Sequence, residues 1–309
     1  VRRENQSIMP GFILLRLLIQ PEQQGVFFAL LLGMYLTIIL GNLLIILLIS
    51  LDPCPHTPMY FFLSHLALID LSFSSVTFPK MLMNIQTQDQ FIPYAESVTQ
   101  IYFFLFFTDL DNFLLTSMAY DRYVAIFHPL HYATIMREGM CTLLIPVYWI
   151  FSCGNALCHI LLMTKLSFCA ENTITKFFCD LNILLKLSCS DTSLLFIAGV
   201  VIIILPLICI LVSYGGIGTT IFKVPSTRGI CKALSMCGSH ISVVSLYYGT
   251  IIGLYFVPSS NTSSDKDIVA SVMYTVVTPL LNPFIYSLRN RDMKGAMEEF
   301  FHKAAVLSQ

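Results

Sequence analysis

Charged side chains inside long apolar runs are the residues of this chain whose types could do chemistry. Asp121 and Arg122 follow one another at the end of such a run, and Asp70, Asp109 and Asp111 lie within others. Ionised groups at that depth are costly, so their default interpretation is functional. For Asp121 and Arg122 the alternative is a pair of interfacial charges that reach water. No nucleophile, metal-ligand cluster or phosphate-binding loop accompanies these acids, so the sequence predicts no catalytic residue and no enzyme.

The composition predicts that a lipid bilayer surrounds the chain. Of its 309 residues, 56% are hydrophobic and 11% are charged, which is more apolar surface than a soluble domain of this size could hide. The net charge is -1, and no run of like charge predicts a nucleic-acid partner.

Seven apolar segments are long enough to cross a membrane, because a helix needs about 20 residues to span roughly 30 Å of hydrocarbon. Polar residues within them are too sparse for the alternating strands of a barrel. The predicted fold is an all-α membrane protein, a seven-transmembrane helix bundle. The segments are Val26 to Ser50, Pro58 to Met83, Tyr94 to Phe127, Met140 to Met163, Leu194 to Phe222, Cys231 to Val257 and Ile268 to Leu288.

The bundle divides the chain into three parts, with an N-terminal segment at 1–25, the helix bundle at 26–288 and a tail at 289–309. Apolar residues recur at helical spacing in the tail, which predicts a short amphipathic eighth helix on the membrane surface. Two N-glycosylation sequons, at Asn5 and Asn261, fall on the same predicted side of the membrane. They favour an extracellular N-terminus and a multi-pass protein of the plasma membrane.

Four motifs in the expected order give the chain its resemblance to a known family. They are PMYFFLS at 58–64, MAYDRYVAI at 118–126, KALSMCGSH at 232–240 and NPFIY at 282–286. Together they resemble the class II, tetrapod-type olfactory receptors of the rhodopsin-like G-protein-coupled receptor family. The resemblance implies an odorant receptor whose partners are a small volatile molecule and a stimulatory heterotrimeric G protein.

The resemblance also implies how the signal is carried. Asp121 would hold Arg122 at rest, and outward movement of the sixth segment would open a cavity for the G protein. The residues expected to take part in coupling and activation are Asp121, Arg122, Tyr123, Tyr214, Asn282, Pro283 and Tyr286. Asp70 lies where rhodopsin-like receptors carry a sodium-binding carboxylate, and Asp111 lies where olfactory receptors have glutamate. Two facing carboxylates in a dry bundle require a cation or a shared proton, so a structural sodium ion or a shared proton is expected here and no other cofactor. Simple protonation of one hydrogen-bonded acid is the alternative.

The ligand pocket is expected in the outer half of the bundle, lined mostly by apolar side chains with a few hydroxyls. Asp109 leaves two interpretations open, because it could contact an odorant or pair with Asn155 or His159 of the fourth segment. The candidate lining residues are Phe104, Leu105, Thr108, Asp109, Asn112, Ala198, Ile202, Tyr248, Ile251, Ile252, Tyr255, Val272 and Thr275.

Cysteine content gives the main departure from the family. The resemblance implies that Cys169 pairs with Cys189, while Cys179 would bridge to a cysteine at the start of the third segment. Ser97 stands in that region instead, which leaves Cys179 without that partner. A weakened receptor or a non-signalling relic is therefore the main alternative function. A transporter is disfavoured, because the buried acids line no continuous path.

Overall fold

The computed structural model describes most of the chain outside its ends and several connecting segments. The described residues are 11–14, 21–51, 57–87, 91–166, 173–174, 185, 188–221, 227–255, 272–289, 294–295, 297–298 and 302. Outside them lie Asn5, Cys169, Cys179 and Asn261, together with the side chain of Tyr255. The glycosylation sites therefore stay predictions.

Helices make up the body of the molecule. Their bounds are α1 (Pro21–Leu51), α2 (Pro58–Thr87), α3 (Tyr94–Phe127), α4 (Tyr132–Ile135), α5 (Glu138–Met163), α6 (Ser193–Ile221), α7 (Thr227–Tyr255) and α8 (Thr278–Arg289), with a π-helical turn at Met273–Val277 before α8. The predicted bounds of the third segment are those of α3, and the others differ by a few residues. The seventh segment is the π-helical turn followed by α8.

Local chemistry explains where several helices begin. Pro58 is the first residue of α2 and Pro93 caps α3, positions where the fixed proline φ fits and the missing N–H costs nothing. At α6, the Asp191 carboxylate accepts hydrogen bonds from the Ser193 hydroxyl and backbone N–H, at 2.6 and 2.9 Å. These bonds to the charged form lower the pKa of Asp191, as expected for a carboxylate that satisfies free donors at a helix start.

The bundle is organised around α3, which packs against α2, α5, α6 and α7. In its most apolar stretch 72% of α3 is buried, against 17% for α5 and α6. The outer faces of α5 and α6 are therefore the lipid-facing surface. Among the described residues, α1, α2, α3, α5 and α6 are long and apolar enough to cross a membrane. Packing of α7 on α3, and of α8 on α1 and α7, completes the bundle.

A small sheet at one end of the bundle was not predicted from the sequence. Strand β1 (Gly11–Leu14) lies between β2 (Phe91–Pro93) and β3 (Thr173–Ile174), antiparallel to β2 and parallel to β3. Strands of two to four residues are too short to show a period-two pattern, and their partners lie far away in sequence.

In the tail, the described residues 294–295, 297–298 and 302 are helical. Lys294 and Glu298 approach within 4.0 Å at the i,i+4 spacing of a helix, and Met297 packs against the bundle core. This part agrees with the predicted amphipathic helix, and the rest of the tail lies outside the described residues.

Candidate functional site

Buried polar side chains from three helices meet around Asp70. Asn282 donates a hydrogen bond to the Asp70 carboxylate at 2.9 Å, and Asp70 and Asp111 lie close enough to repel each other. The buried side-chain oxygens of Ser74, Asp111 and Asn282, and that of Asn42 in α1, have no hydrogen-bond partner among the described residues. An unsatisfied buried acceptor is costly, and hard cations prefer oxygen ligands. These oxygen atoms therefore form a set of ligands that fits a small hard cation.

Arg122 lies near a hydrogen-bonded pair of side chains, one from α6 and one from α7. The Tyr214 hydroxyl and His240 Nδ1 are 2.6 Å apart, and the two rings stack. The Arg122 guanidinium acts electrostatically on Tyr214, His240 and Tyr286, and the Tyr286 hydroxyl is buried without a hydrogen-bond partner among the described residues. Side chains from α3, α6, α7 and α8 thus meet around one cation.

Asp121 has another partner besides Arg122. Among the described residues no ion pair within 4.0 Å joins the two, although the guanidinium still acts electrostatically on the carboxylate. Asp121 instead accepts a hydrogen bond from the Tyr132 hydroxyl of α4 at 2.6 Å. Burial, then the bond to Asp121, raises the pKa of Tyr132 well above its ordinary value of 10.0, so its hydroxyl stays a donor at physiological pH.

Two tyrosines of α7 bond to the candidate pocket residues of α3. Tyr248 donates to the Asn112 side-chain oxygen at 2.8 Å, and Tyr247 donates to the Thr108 carbonyl at 3.0 Å. Asn112 in turn donates to the same carbonyl at 3.0 Å. All are buried, so these bonds carry more weight than they would in water. They tie α3 to α7 at the depth expected for a ligand.

Asp109 faces α5 rather than this α3–α7 contact. It is 2% exposed and accepts a hydrogen bond from the Asn155 side chain at 2.8 Å. The carbonyl of Asn155 bonds in turn with His159 Nδ1 at 2.9 Å. Of the two interpretations that the sequence leaves open, the structure bears out the pairing with Asn155.

The remaining candidate lining residues divide by exposure. Phe104, Ile251 and Thr275 are buried, while Leu105, Ala198, Ile202 and Val272 are partly buried. Ile252 does not belong to the buried set, since it is 44% exposed. It follows Ile251 directly and points about 100° further round the helix.

Cys189 is disulfide-bonded, as expected, and its partner lies outside the described residues. Its pairing with Cys169 stays a prediction. Ser97, at the start of α3, is fully buried, so a serine is accommodated in the packed end of this helix.

Sequence reasoning missed several residues that matter in the structure. Tyr132 and Ser74 carry no motif of their own, and only their neighbours in space give them a role. Tyr247 and His240 could have been found, because each is a polar residue on the inner face of an apolar helix.

The helical bundle, its arginine-centred cluster and its α3–α7 contact define a rhodopsin-like G-protein-coupled receptor. A family model described as olfactory receptor matches residues 31–304. Among known proteins, human olfactory receptor 1J4 is 72% identical with 100% of both chains covered, human olfactory receptor 1J2 is 65% identical with 99% of each covered, and mouse olfactory receptor 1J1 is 62% identical with 100% of each covered. The chain belongs to the olfactory receptor family. It is a multi-pass membrane receptor and not an enzyme, which confirms the resemblance seen in the sequence.

Proposed function

We propose that this receptor lies in the plasma membrane with its N-terminus outside, binds a small volatile molecule between α3, α6, α7 and the π-helical turn before α8, and activates a stimulatory heterotrimeric G protein. The observation that carries the proposal is the buried contact of Tyr248 with Asn112. A ligand placed there competes for hydrogen-bonding groups that otherwise join two helices, so it biases the position of α7 relative to α3.

The pocket chemistry suits a mostly apolar ligand with one polar group. Phe104 and Ile251 supply buried apolar surface, while Asn112 and Thr275 supply the few polar side chains that fix orientation. The affinity gained by a molecule that satisfies these groups would differ between the two arrangements of the helices, which is the condition for signalling.

The Arg122 end of the bundle is the proposed docking site of the G protein. Leu130, in the short connection after α3, is 94% exposed, and a large apolar side chain so open to solvent suits a protein partner. Movement of α7 would separate His240 from Tyr214 and give the partner access to Arg122 and Tyr286. Tyr123 packs on Phe127 nearby, with ring centroids 4.4 Å apart.

The oxygen cluster around Asp70 is the proposed place of a sodium ion. Asp70, Ser74, Asp111 and Asn282 would hold it, and its single positive charge would offset one of the two carboxylate charges and lower the repulsion between them. The ion would join α2, α3 and α8 in the resting receptor.

Cyclic AMP accumulation in cells that supply olfactory chaperones tests the function. Wild type should respond to some members of a broad panel of volatile odorants, and Arg122→Ala should be silent at equal surface density. Tyr248→Phe should raise the EC50 about two- to tenfold, because it removes the hydroxyl that would bond to the polar group of the ligand, an interaction worth about 0.5–1.5 kcal/mol. Ile252→Ala, at an exposed position of the same helix, is the matched control and should change the EC50 little.

The relic alternative is tested in the same assay by restoring a cysteine with Ser97→Cys. A wild-type chain that reaches the surface and responds without this repair would exclude the relic. Silence of the wild type beside a responding Ser97→Cys variant would contradict the proposal for the natural chain.

A further inference from the structure

The N-terminal strand β1 is the middle strand of the sheet, and this position gives it a role. Strand β2 precedes α3 without a break, and β3 lies in the connection between α5 and α6. The two do not pair with each other, since each pairs only with β1 in the order β2-β1-β3. With three and two residues, neither is long enough to form a stable sheet alone. Without β1, no backbone pairing would join these connections within the described part of the chain.

Close packing shows that β1 is fitted to its place. Gly11 pairs with Pro93 in the register, and a Cβ at position 11 would collide with the Ile92 carbonyl oxygen and lie 2.7 Å from the Phe91 ring. Ile92 itself is fully buried. A residue with any side chain would push β1 away from β2, so glycine is required here for close approach rather than for a turn.

The end of α3 that β1 contacts is also anchored to α2. Lys80 of α2 and Glu96 in the first turn of α3 form an ion pair at 2.7 Å, and β1 packs against α3 as well as β2. The start of α3 is therefore bound to α2 by an ion pair. The strand that precedes α3 is bound to β1 by backbone hydrogen bonds. Phe104 and Asn112 lie further along the same helix, which rises about 1.5 Å per residue.

We propose that β1 is a positioning element of the ligand site. It ties the connection before α3 to the connection between α5 and α6, and so sets where the outer ends of α3 and α6 stand on either side of the ligand. The consequence for ligand response rests on the function proposed above, whereas the tie itself does not.

Cysteine cross-linking in the full-length receptor tests the tie without any ligand. Phe12 and Ile92 are cross-strand partners, and directly opposed antiparallel residues have Cα atoms about 4.5–5.5 Å apart, within the range that a disulfide bridges. Phe12→Cys with Ile92→Cys should therefore form a disulfide on the expressed protein, found by mass spectrometry of non-reduced peptides. Ile13→Cys with Ile92→Cys is the matched control, one residue out of register, with its side chains on opposite faces. Equal disulfide yields from the two cysteine pairs would show that β1 does not pair with β2 in this register.

The positioning role is tested by a glycine comparison. Gly11→Val should displace β1, while Gly25→Val should not, because a Cβ at position 25 meets nothing within 4 Å. The probe is a mixture of medium-chain aliphatic aldehydes and alcohols, read as cyclic AMP at matched surface density. Gly11→Val should raise the EC50 about tenfold with the maximum unchanged, because a displaced β1 no longer holds the connection before α3 in place. A purely structural role would lower surface display and leave EC50 alone.

The outcomes separate the two proposals. A wild type that is silent toward the mixture counts against the ligand response, while the cross-linking yield still decides the tie. An in-register cross-link with identical EC50 values for the two valine variants would overturn the positioning role. If Gly11→Val is not displayed, Thr173→Pro decides in its place, since it disturbs the β3 side of β1 at the Ile13 partner.

Discussion

At the scale of single residues, Asp109 is a buried acid with a partner on a neighbouring helix. Its carboxylate accepts a hydrogen bond from the Asn155 amide in the contact between α3 and α5. We expect Asp109→Leu and Asn155→Leu each to destabilise the receptor by about 1–3 kcal/mol, because each leaves a buried polar group unpaired. The double variant should recover much of that loss, since it removes both polar groups.

A double-mutant cycle on the thermal unfolding midpoint of the purified receptor measures this coupling. Leu157→Ala, at an exposed position of the same helix, is the control for general effects of substitution in α5. Additive single effects would show that the pair is not coupled, and the assignment of Asp109 to the α5 contact would then fail.

The residue scale also shows where sequence reasoning ends. The acids, the arginine and Tyr248 could be selected because polar groups in apolar helices are expensive. The direction in which each side chain points could not be predicted, since Ile251 and Ile252 look alike in the sequence yet one is buried and the other is exposed. The bond from Tyr132 to Asp121 depends on how a four-residue helix folds back, and no pattern in the chain encodes that.

At the scale of helices, the contact of α1 with α8 depends on a single glycine. A Cβ at Gly41 would lie 3.1 and 3.2 Å from two atoms of the Pro283 ring, and a proline ring cannot rotate away. Gly41→Ala should therefore destabilise the receptor by about 1–3 kcal/mol, as overpacking does. Gly33→Ala on the same helix should be neutral or stabilising by up to about 1 kcal/mol, because a Cβ there meets nothing within 4 Å and alanine favours the helix.

Thermal unfolding of the two alanine variants side by side gives the answer. Both substitutions gain the same helix propensity, so the difference between their midpoints reports the contact with Pro283 alone. Equal midpoints would mean that α1 and α8 do not pack closely in the membrane-embedded protein.

Helix bounds were the part of the fold most open to prediction. The α3 bounds are those read from the sequence, because prolines at 93 and 129 flank a continuous apolar run. The last segment was harder, since an apolar run does not reveal a π-helical turn at Met273–Val277. The sheet of β1, β2 and β3 was missed entirely, because its register is set by pairing between distant segments.

At the scale of the whole molecule, the oxygen cluster at Asp70 joins three helices. Asp70 and Ser74 belong to α2, Asp111 to α3 and Asn282 to α8. Repulsion between two carboxylates should loosen this centre unless a cation or a proton balances the charge. A cation that binds only the folded, resting arrangement stabilises it by mass action.

We therefore expect the unfolding midpoint of the purified receptor to rise when choline chloride is replaced by sodium chloride at constant ionic strength. Asp70→Asn should abolish the sodium-dependent rise, because it removes the charge that balances the ion, whereas Glu96→Gln, an acid outside the cluster, should keep it. The same substitution at Asp70 should change basal cyclic AMP, since the ion would favour one of two arrangements of the bundle. A midpoint that rises equally in wild type and Asp70→Asn would place the salt effect elsewhere and leave a shared proton as the way in which the two acids coexist.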